Sequence, residues 1–249
     1  MNAHTNSETG LPSAPEKWYR RLTRIFSGVF LLAVTSTVAA GGTDWPECWT
    51  PGLMMQCKRI IGTAVSPDGK LVAYTVSEAV MEGEKSENLS HVWVVSSDGR
   101  MNRQFTRGEK SCGTPAFSPD GKYLSFISTR GSGGKRQVWM LPLDGGEAVP
   151  ATFAKSGVGD YLWSPDGKRI AYTMVDPDTP EVEKNRKEKR DMTVVDAVQR
   201  YAHLYTVTVK PDGGGNLIRL TSGSFHETAF DWSPDGKTIV FSLQAIPSP

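Results

Sequence analysis

The pentapeptide Ser-Pro-Asp-Gly-Lys occurs four times in this chain, at 66–70, 118–122, 164–168 and 233–237. Such an internal repeat constrains the fold strongly, since each copy must form one supersecondary unit that stacks on its neighbours. The pentapeptide has the composition of a tight turn, because proline presets φ at the second position and glycine tolerates a positive φ where the chain reverses. The repeat therefore predicts four equivalent turns in one repeated architecture.

Apolar residues alternate after each turn. Large residues stand six and eight positions after the repeated serine, with a less bulky residue between them. These positions hold Val72-Ala73-Tyr74, Leu124-Ser125-Phe126, Ile170-Ala171-Tyr172 and Ile239-Val240-Phe241. A period of two is that of a strand with one packed face, and a bulky apolar residue also precedes each serine. Each copy therefore predicts strand, turn and strand.

Two further landmarks recur in the first three repeats. A third strand is expected to open at His91, Gln137 and His203. A fourth is marked by Phe105-Thr106, Ala151-Thr152 and Leu220-Thr221, and each threonine lies 12 residues before the next repeated serine. Four antiparallel strands in about 40–50 residues are typical of a β-propeller blade.

The sequence thus predicts an all-β fold, a partial β-propeller of four-stranded antiparallel blades with three blades and the start of a fourth. We expect a lead-in segment at 41–58 and an incomplete propeller at 59–249. The blades are expected near 59–106, 107–152 and 153–221, with a partial blade at 222–249. Extra residues fall between the second and third strands, within 77–90 and 176–202. A solvated helix or loop is expected for the balanced charge run at 181–191 of the second insertion, and the acidic residues of the first are those that a solvated loop can hold.

Residues 1–40 have the pattern of a secretory signal peptide. A basic cluster at 17–24 precedes an uncharged stretch of 16 residues, 25–40, which ends in small residues. This stretch is shorter than the roughly 20 apolar residues that a spanning helix needs, so cleavage is favoured over retention. A membrane anchor at 25–40 is the alternative. Both predict an exported protein, periplasmic or secreted, with membrane contact only through an uncleaved signal.

Composition excludes several functions. Lys and Arg number 28 against 27 Asp and Glu, so no nucleic-acid partner is indicated. In an oxidising compartment Cys48 and Cys57 are close enough in sequence to pair, leaving Cys112 odd; three free thiols are the alternative. The sequence contains no Cys-x-x-Cys motif, so no metal site is predicted. The glycine runs at 131–134 and 213–215 fall between predicted strands, so hairpin loops are expected and no cofactor is predicted.

No catalytic residue is predicted in this chain. His91 and His203 share one repeat position, which favours a structural role. The Gly-x-Ser-x-Gly motif of a nucleophile elbow is missing from the sequence.

Three stretches carry a family resemblance: the lead-in 49–60, the insertion 81–87, and 194–196 leading into 201–205. With the repeated turns, they resemble the N-terminal propeller of the prolyl oligopeptidase family of serine peptidases, which includes dipeptidyl peptidase IV and acylaminoacyl-peptidase relatives. The resemblance covers about residues 45–249. It implies that the propeller gates peptide access to a C-terminal α/β-hydrolase domain carrying Ser, Asp and His.

That catalytic domain is missing from the sequence, so we expect a truncated piece of a longer protein that is inactive by itself. TolB-type propellers share the Ser-Pro-Asp-Gly-Lys turn. A TolB-like periplasmic interaction propeller without enzymatic activity is therefore the alternative. It would carry a further α/β domain before the propeller, whereas the blades here begin soon after the predicted signal.

The resemblance also implies a peptide-binding role for acidic residues of the first insertion. Dipeptidyl-peptidase relatives hold the free amino terminus of the substrate with propeller glutamates, and Glu82, Glu84 and Glu87 lie in this insertion. The alternative is a solvated loop whose charges have no ligand.

Overall fold

The computed structural model describes residues 50–82, 85–131, 133–177 and 200–245, together with 184 and 188. The chain divides into two compact units, Met1–Cys48 and Trp49–Pro249, and the described residues belong to the second. The predicted signal or anchor, Cys48, Glu84 and most of the 176–202 insertion lie outside the described residues. Within those residues, no helix is long and apolar enough to cross a membrane.

The described chain folds into three four-stranded sheets followed by a two-stranded one. The first contains β1 (Arg59–Val65), β2 (Leu71–Glu82), β3 (Lys85–Ser96) and β4 (Asn102–Gln104). The second contains β5 (Cys112–Phe117), β6 (Tyr123–Ser128), β7 (Gln137–Pro142) and β8 (Val149–Pro150). The third contains β9 (Tyr161–Trp163), β10 (Arg169–Val175), β11 (Ala202–Thr208) and β12 (Leu217–Arg219), and the last contains β13 (Phe225–Trp232) and β14 (Ile239–Ala245).

Strands within each sheet lie in chain order and pair antiparallel. The prediction of three four-stranded blades and the start of a fourth is confirmed. Each Ser-Pro-Asp-Gly-Lys turn joins the first two strands of its sheet, as predicted. The glycine runs at 131–134 and 213–215 lie between β6 and β7 and between β11 and β12, where hairpin loops were predicted.

The repeated turns share one hydrogen-bond pattern. The hydroxyl of each repeated serine donates to Oδ1 of the aspartate two residues later, at 2.5–2.7 Å. The N–H of each following lysine donates to the same oxygen at 3.1 Å. The glycine between them has φ between +67° and +72°, a region that favours glycine. Local turn chemistry thus explains why this pentapeptide recurs unchanged.

The structure adds one feature to the sequence prediction and corrects two strand boundaries. The lead-in contains a short helix, α1 (Pro51–Gln56), which begins where the Thr50 hydroxyl accepts the N–H of Leu53 at 3.2 Å. Each fourth strand ends just before the residue pair that was predicted to mark it, at 105–106, 151–152 and 220–221. These pairs still contact the third strand, but only through single backbone N–H groups and threonine hydroxyls. The third strand of the first sheet begins at Lys85 rather than at His91.

The core consists of apolar layers between successive sheets. Phe117, Leu124 and Phe126 lie between the first and second sheets, and Met140, Ile170 and Tyr172 lie between the second and third. A smaller cluster, which includes Ala171, Leu204 and Trp232, joins the third sheet to the fourth. The period-two pattern assigned Leu124, Phe126, Ile170 and Tyr172 to a packed face. Ala171, the less bulky residue between two of them, is fully buried as well, so both faces of the strand are packed rather than the one predicted.

Candidate functional site

The Ser-Pro-Asp-Gly-Lys turns lie at one end of the strands. A Cβ added at Gly167 would lie 3.7 Å from Pro119 Cδ, and one at Gly236 would lie 3.5 Å from Pro165 Cδ, so turns of successive blades contact each other. The Arg169 guanidinium also spans two blades, donating to the Gly236 carbonyl at 2.6 Å. The aspartates of these turns bond within the turn itself, which indicates a structural role for them.

The opposite end of the strands carries the insertions, and in the first sheet the insertion is a β-hairpin. β2 and β3 pair without interruption from Leu71↔Ser96 to Glu82↔Lys85, whereas β1 stops pairing with β2 at Ser77. The segment from Glu78 onward is therefore a two-stranded extension beyond the sheet. The expectation of a solvated loop is wrong for this insertion. Residues 78–82 and 85–90 continue β2 and β3 and pair with each other.

The structure places two of the three glutamates suggested for substrate binding. Glu82 is the last residue of β2 and pairs with Lys85, and Glu87 is exposed and pairs with Val80. Glu84 lies outside the described residues. Register puts Glu87 and Glu78 on one face of the hairpin, since paired and alternate residues share a face. The binding role of these glutamates stays a prediction.

A second set of charges at this end was missed by the sequence analysis. Glu78, Arg130 and Asp176 lie twelve residues after Ser66, Ser118 and Ser164, so they are equivalent positions of the repeat. The two carboxylates have cationic partners within the chain: Lys58 Nζ lies 2.7 Å from Glu78, and an Arg219 nitrogen lies 3.2 Å from Asp176. We call these three residues the charged positions. Counting from the repeated serine was the signal that could have found them.

Two of the charged positions, Glu78 and Asp176, lie near the histidine that opens the predicted third strand of their sheet. In the third sheet, His203 Nε2 lies 3.4 Å from Asp176 Oδ2. In the first sheet, burial lowers the pKa of His91, the Glu78 carboxylate raises it, and the Arg130 guanidinium of the next sheet lowers it further. In the second sheet, Gln137 occupies the repeat position of the two histidines, and Arg130 occupies that of the two carboxylates.

The third sheet contains a threonine, a histidine and an aspartate in the order of a catalytic triad. His203 Nδ1 lies 3.4 Å from Thr221 Oγ1, and its Nε2 faces Asp176. The geometry is nevertheless structural, because the Thr221 hydroxyl donates to the Glu227 carboxylate and accepts the Leu204 N–H at 3.0 Å. Its proton is therefore directed away from the imidazole, which a nucleophile cannot allow.

The equivalent threonines of the first and second sheets accept the same backbone hydrogen bond. Thr106 Oγ1 accepts the Val92 N–H at 2.8 Å, and Thr152 Oγ1 accepts the Val138 N–H at 2.9 Å. Thr152 also donates to Gln137 Oε1 at 2.8 Å. The repetition supports the structural role predicted for both histidine positions.

Two clefts open between neighbouring sheets. One of about 340 Å³, between the first and second sheets, includes Arg107, Arg130 and Trp139 in its lining. Another of about 270 Å³, between the second and third, is lined mainly by small and apolar groups around Gly157–Gly159.

In the described ranges no group of three or more His, Cys, Asp or Glu could hold a metal ion. Cys57 and Cys112, the two described cysteines, are free thiols.

These sheets and turns define a β-propeller built from TolB-type blades. Residues 55–200 match the sequence profile of the TolB beta propeller domain. The chain belongs to this family.

Curated relatives include peptidases. The chain is 33% identical over 191 residues to an uncharacterized peptidase, YuxL, of Bacillus subtilis, a match that covers 71% of this chain and 28% of the relative. It is 32% identical over 110 residues to dipeptidyl-peptidase 5 of Porphyromonas gingivalis, covering 43% of this chain and 16% of the relative. The resemblance to peptidase propellers is confirmed. The chain spans less than a third of the length of either relative.

Other similarities concern TolB proteins and solved propellers. The Tol-Pal system protein TolB 1 of Novosphingobium aromaticivorans is 30% identical over 94 residues, covering 36% of this chain and 21% of that protein. An acylaminoacyl peptidase solved with Z-Gly-Gly-Phe-chloromethyl ketone has a TM-score of 0.55 at 18% identity, covering 78% of this chain and 29% of that one. At this identity the structural likeness shows the fold alone.

Proposed function

We propose that this chain is the N-terminal propeller portion of an exported serine peptidase of the prolyl oligopeptidase family. There it gates the access of peptides to a C-terminal α/β-hydrolase domain encoded beyond this sequence. The observation that carries the proposal is the similarity to YuxL, which extends over 191 residues at 33% identity. A match of that length includes the blades and their insertions, not only the turns that all TolB-type propellers share.

The geometry of the insertions supports a gating role. The two-stranded extension of β2 and β3 stands at the end of the strands opposite the repeated turns, beside the charged positions. Function concentrates on segments that leave a rigid scaffold, and here the turn end is fixed by side-chain hydrogen bonds. A peptide approaching the insertion end therefore meets the part of the propeller that varies between blades.

The domain division predicted from the sequence belongs to this proposal. In it, residues 1–40 direct export and are removed, 41–58 lead into the propeller, and the blades follow at 59–106, 107–152, 153–221 and 222–249. The peptide substrate and the hydrolase domain are the partners of the full-length protein.

A TolB-like interaction propeller without enzymatic activity is the second candidate. The family match and the similarity to TolB 1 favour it. Its partners would be envelope proteins rather than substrates.

The deciding experiment compares this chain with the product of the longer gene. The DNA following the codon for Pro249 is sequenced, and both products are assayed on dipeptidyl and acyl-peptide reporters. We expect a Gly-x-Ser-x-Gly frame downstream and hydrolysis by the longer product that a serine-directed inhibitor abolishes, with no hydrolysis by the 249-residue chain. A longer product without this motif and without activity would contradict the peptidase proposal and support the TolB-like function.

The suggested glutamates are tested in the longer product. Glu82, Glu84 and Glu87 are changed singly to Gln, and kcat/KM is measured for substrates with free and with blocked amino termini. Loss confined to the free-amine substrate supports a role in holding the ammonium group, since a carboxylate in a closed cavity attracts it strongly. Glu109→Gln, an exposed site between β4 and β5, is the matched control. Equal effects on both substrates would show that the hairpin glutamates do not bind the free ammonium group of the substrate.

A further inference from the structure

The cleft between the first and second sheets has a cationic and aromatic lining. Its volume is about 340 Å³, within the range of small-ligand sites. Arg107 and Arg130 contribute positive charge, Phe126 and Trp139 contribute ring surface, and Glu147 contributes one carboxylate. Arg107 and Glu147 are exposed, whereas Arg130 and Trp139 are half-buried.

Arg130 is held in place by apolar and sulfur contacts. Its guanidinium carbon lies 5.0 Å from the centre of the Phe126 ring and 5.8 Å from that of Trp139. One terminal nitrogen donates to the buried Cys112 Sγ at 2.9 Å. Ring faces and a thiol fix a guanidinium in position without neutralising it.

Comparison of the three charged positions shows what Arg130 lacks. Glu78 and Asp176, its equivalents in the first and third sheets, each have a cation of the chain within ion-pair distance. No carboxylate of the described residues lies within that distance of Arg130, although Glu147 lines the same cleft. A charge that is partly withdrawn from water is stabilised by a counter-charge. Of the three charged positions, Arg130 is the one without a counter-charge among the described residues.

Trp139 adds a second donor. Its Nε1 is buried and has no hydrogen-bond acceptor among the described residues. A buried donor without an acceptor costs free energy comparable to a lost hydrogen bond, which a small movement of the ring toward an acceptor in the cleft would recover. The lining of the cleft therefore includes a half-buried guanidinium, from Arg130, and an indole donor without a partner, from Trp139.

We propose that this cleft binds a monovalent carboxylate attached to an apolar side chain, as at the C-terminal residue of a peptide or in a free N-acylated amino acid. The guanidinium of Arg130 receives the carboxylate through paired N–H donors, the geometry that this group favours. Trp139, Leu141 and Ala148, the half-buried apolar residues of the lining, receive the apolar side chain. Two arginines against one glutamate give a cleft charge of plus one, which favours a single negative charge over a phosphate ester. The site does not depend on the proposed peptidase function.

The test is a calorimetric titration of the full chain with three probes. N-acetyl-phenylalanine carries the carboxylate, N-acetyl-phenylalanine amide lacks it, and N-acetyl-Ala-Ala-Ala-Phe presents it at the end of a peptide. We expect the free acid to bind at least about tenfold more tightly than the amide, because one charge-assisted pair is lost. Tighter binding of the tetrapeptide than of the single residue identifies a peptide terminus as the ligand, and equal binding identifies the free acid.

Variants locate the binding in the cleft. Arg130→Gln is expected to weaken acid binding about tenfold and to leave amide binding unchanged. Arg103→Gln removes the same charge from an exposed site on β4 outside the cleft lining and is the matched control. Glu147→Gln, at an exposed residue, is expected to strengthen acid binding about twofold, and this result does not require Arg130 to be replaced. Equal binding of acid and amide, or equal effects of the Arg130 and Arg103 changes, would overturn the proposal.

Discussion

Ser125 Oγ accepts a hydrogen bond from Trp163 Nε1 at 2.8 Å, and this bond joins the second sheet to the third. The same hydroxyl donates to the Ala116 carbonyl at 2.8 Å and lies 2.9 Å from the Tyr161 hydroxyl. Burial raises the pKa of Tyr161 far above its usual range, although the bond with Ser125 lowers it. The phenol is therefore neutral, and its hydroxyl donates to the Thr114 carbonyl at 2.8 Å.

Replacing Ser125 should destabilise the junction of these two sheets. Ser125 is fully buried, so Ser125→Ala leaves Trp163 Nε1 without its acceptor and removes a partner of Tyr161. We expect the free energy of unfolding to fall by about 1–3 kcal/mol, the cost of a buried polar group left unsatisfied. Urea unfolding followed by tryptophan fluorescence measures it. Ser97→Ala, on an exposed turn, should change it by less than about 0.5 kcal/mol, and an equally small effect at Ser125 would contradict the prediction.

The turn aspartates should make stability fall in acid. The Ser164 hydroxyl and the Lys168 N–H lower the pKa of Asp166, so the charged form is favoured in the folded state. A lowered carboxyl pKa stabilises the fold above the usual value near 3.8 and loses this effect as the pH falls through the folded-state value. Asp166→Asn keeps an acceptor oxygen but removes the charge.

We therefore expect the stability difference between the native chain and Asp166→Asn to be largest at pH 7. It should shrink below about pH 4, where the native carboxylate takes up its proton. Urea unfolding at pH 7, 4 and 3 measures the difference. Asp144→Asn is the control, because the β7–β8 turn has Pro142 where the repeated turns have serine. A difference that stays constant with pH would show that the charge of Asp166 is irrelevant.

The repeated part of the fold could be predicted because its causes are local. The turn of Ser118–Lys122 closes through its own side chains, and the large residues Leu124 and Phe126 mark one packed face of β6. The other face of β6 is buried as well, which the alternation of large and less bulky residues did not predict. The sequence even contains a fifth copy of this turn, at 96–100, where Ser96 Oγ donates to Asp98 Oδ1 at 2.5 Å. It was missed because serine replaces proline and arginine replaces lysine, although the bonds use only the serine, aspartate and backbone.

The remaining features depend on neighbours that are distant in sequence. In the sequence pattern Ser125 is the less bulky residue between two packed positions. Its buried hydrogen bond is not predicted, because its partner Trp163 lies 38 residues away. The hairpin beyond Ser77 was expected as a loop because its acidic residues suggested a solvated segment, yet polar residues alternate on a two-stranded ribbon as well. Arg130 was not singled out, because its meaning appears only when it is compared with Glu78 and Asp176.

The exposed strand β14 should promote self-association. Among the described strands β14 pairs only with β13, and Val240 and Leu243 are 72% and 52% exposed. An apolar strand with a free edge is a template for pairing between chains. We expect Leu243→Lys to raise the concentration at which the chain aggregates, as measured by light scattering, without lowering its stability. Met54→Lys, at a 65% exposed residue of α1, should leave aggregation unchanged; equal effects of both changes would exclude a specific role of this edge.

His91 should make the fold sensitive to pH in a higher range than the aspartates do. The side chain is buried, and its Nδ1 lies 3.5 Å from Thr106 Oγ1. Burial lowers its pKa below the usual 6.5; Glu78 and the Gly108 carbonyl oppose this effect, and Arg130 adds to it. Between the lowered value and 6.5 the unfolded chain binds a proton that the folded chain does not. Stability therefore falls as the pH decreases through this interval.

The chain itself supplies the substitution that tests this, since the second sheet has glutamine at the same repeat position. Gln137 Oε1 accepts the Thr152 hydroxyl at 2.8 Å, so an amide fits beside the threonine. We expect His91→Gln to fold and to gain stability relative to the native chain as the pH is lowered from 7 to 5, because the replaced imidazole no longer favours the unfolded state. Urea unfolding at pH 7, 6 and 5 gives the two free energies. Asp166→Asn, whose effect belongs below about pH 4, should show a constant difference over the same interval. If the difference for His91→Gln is constant as well, the buried imidazole does not control stability here.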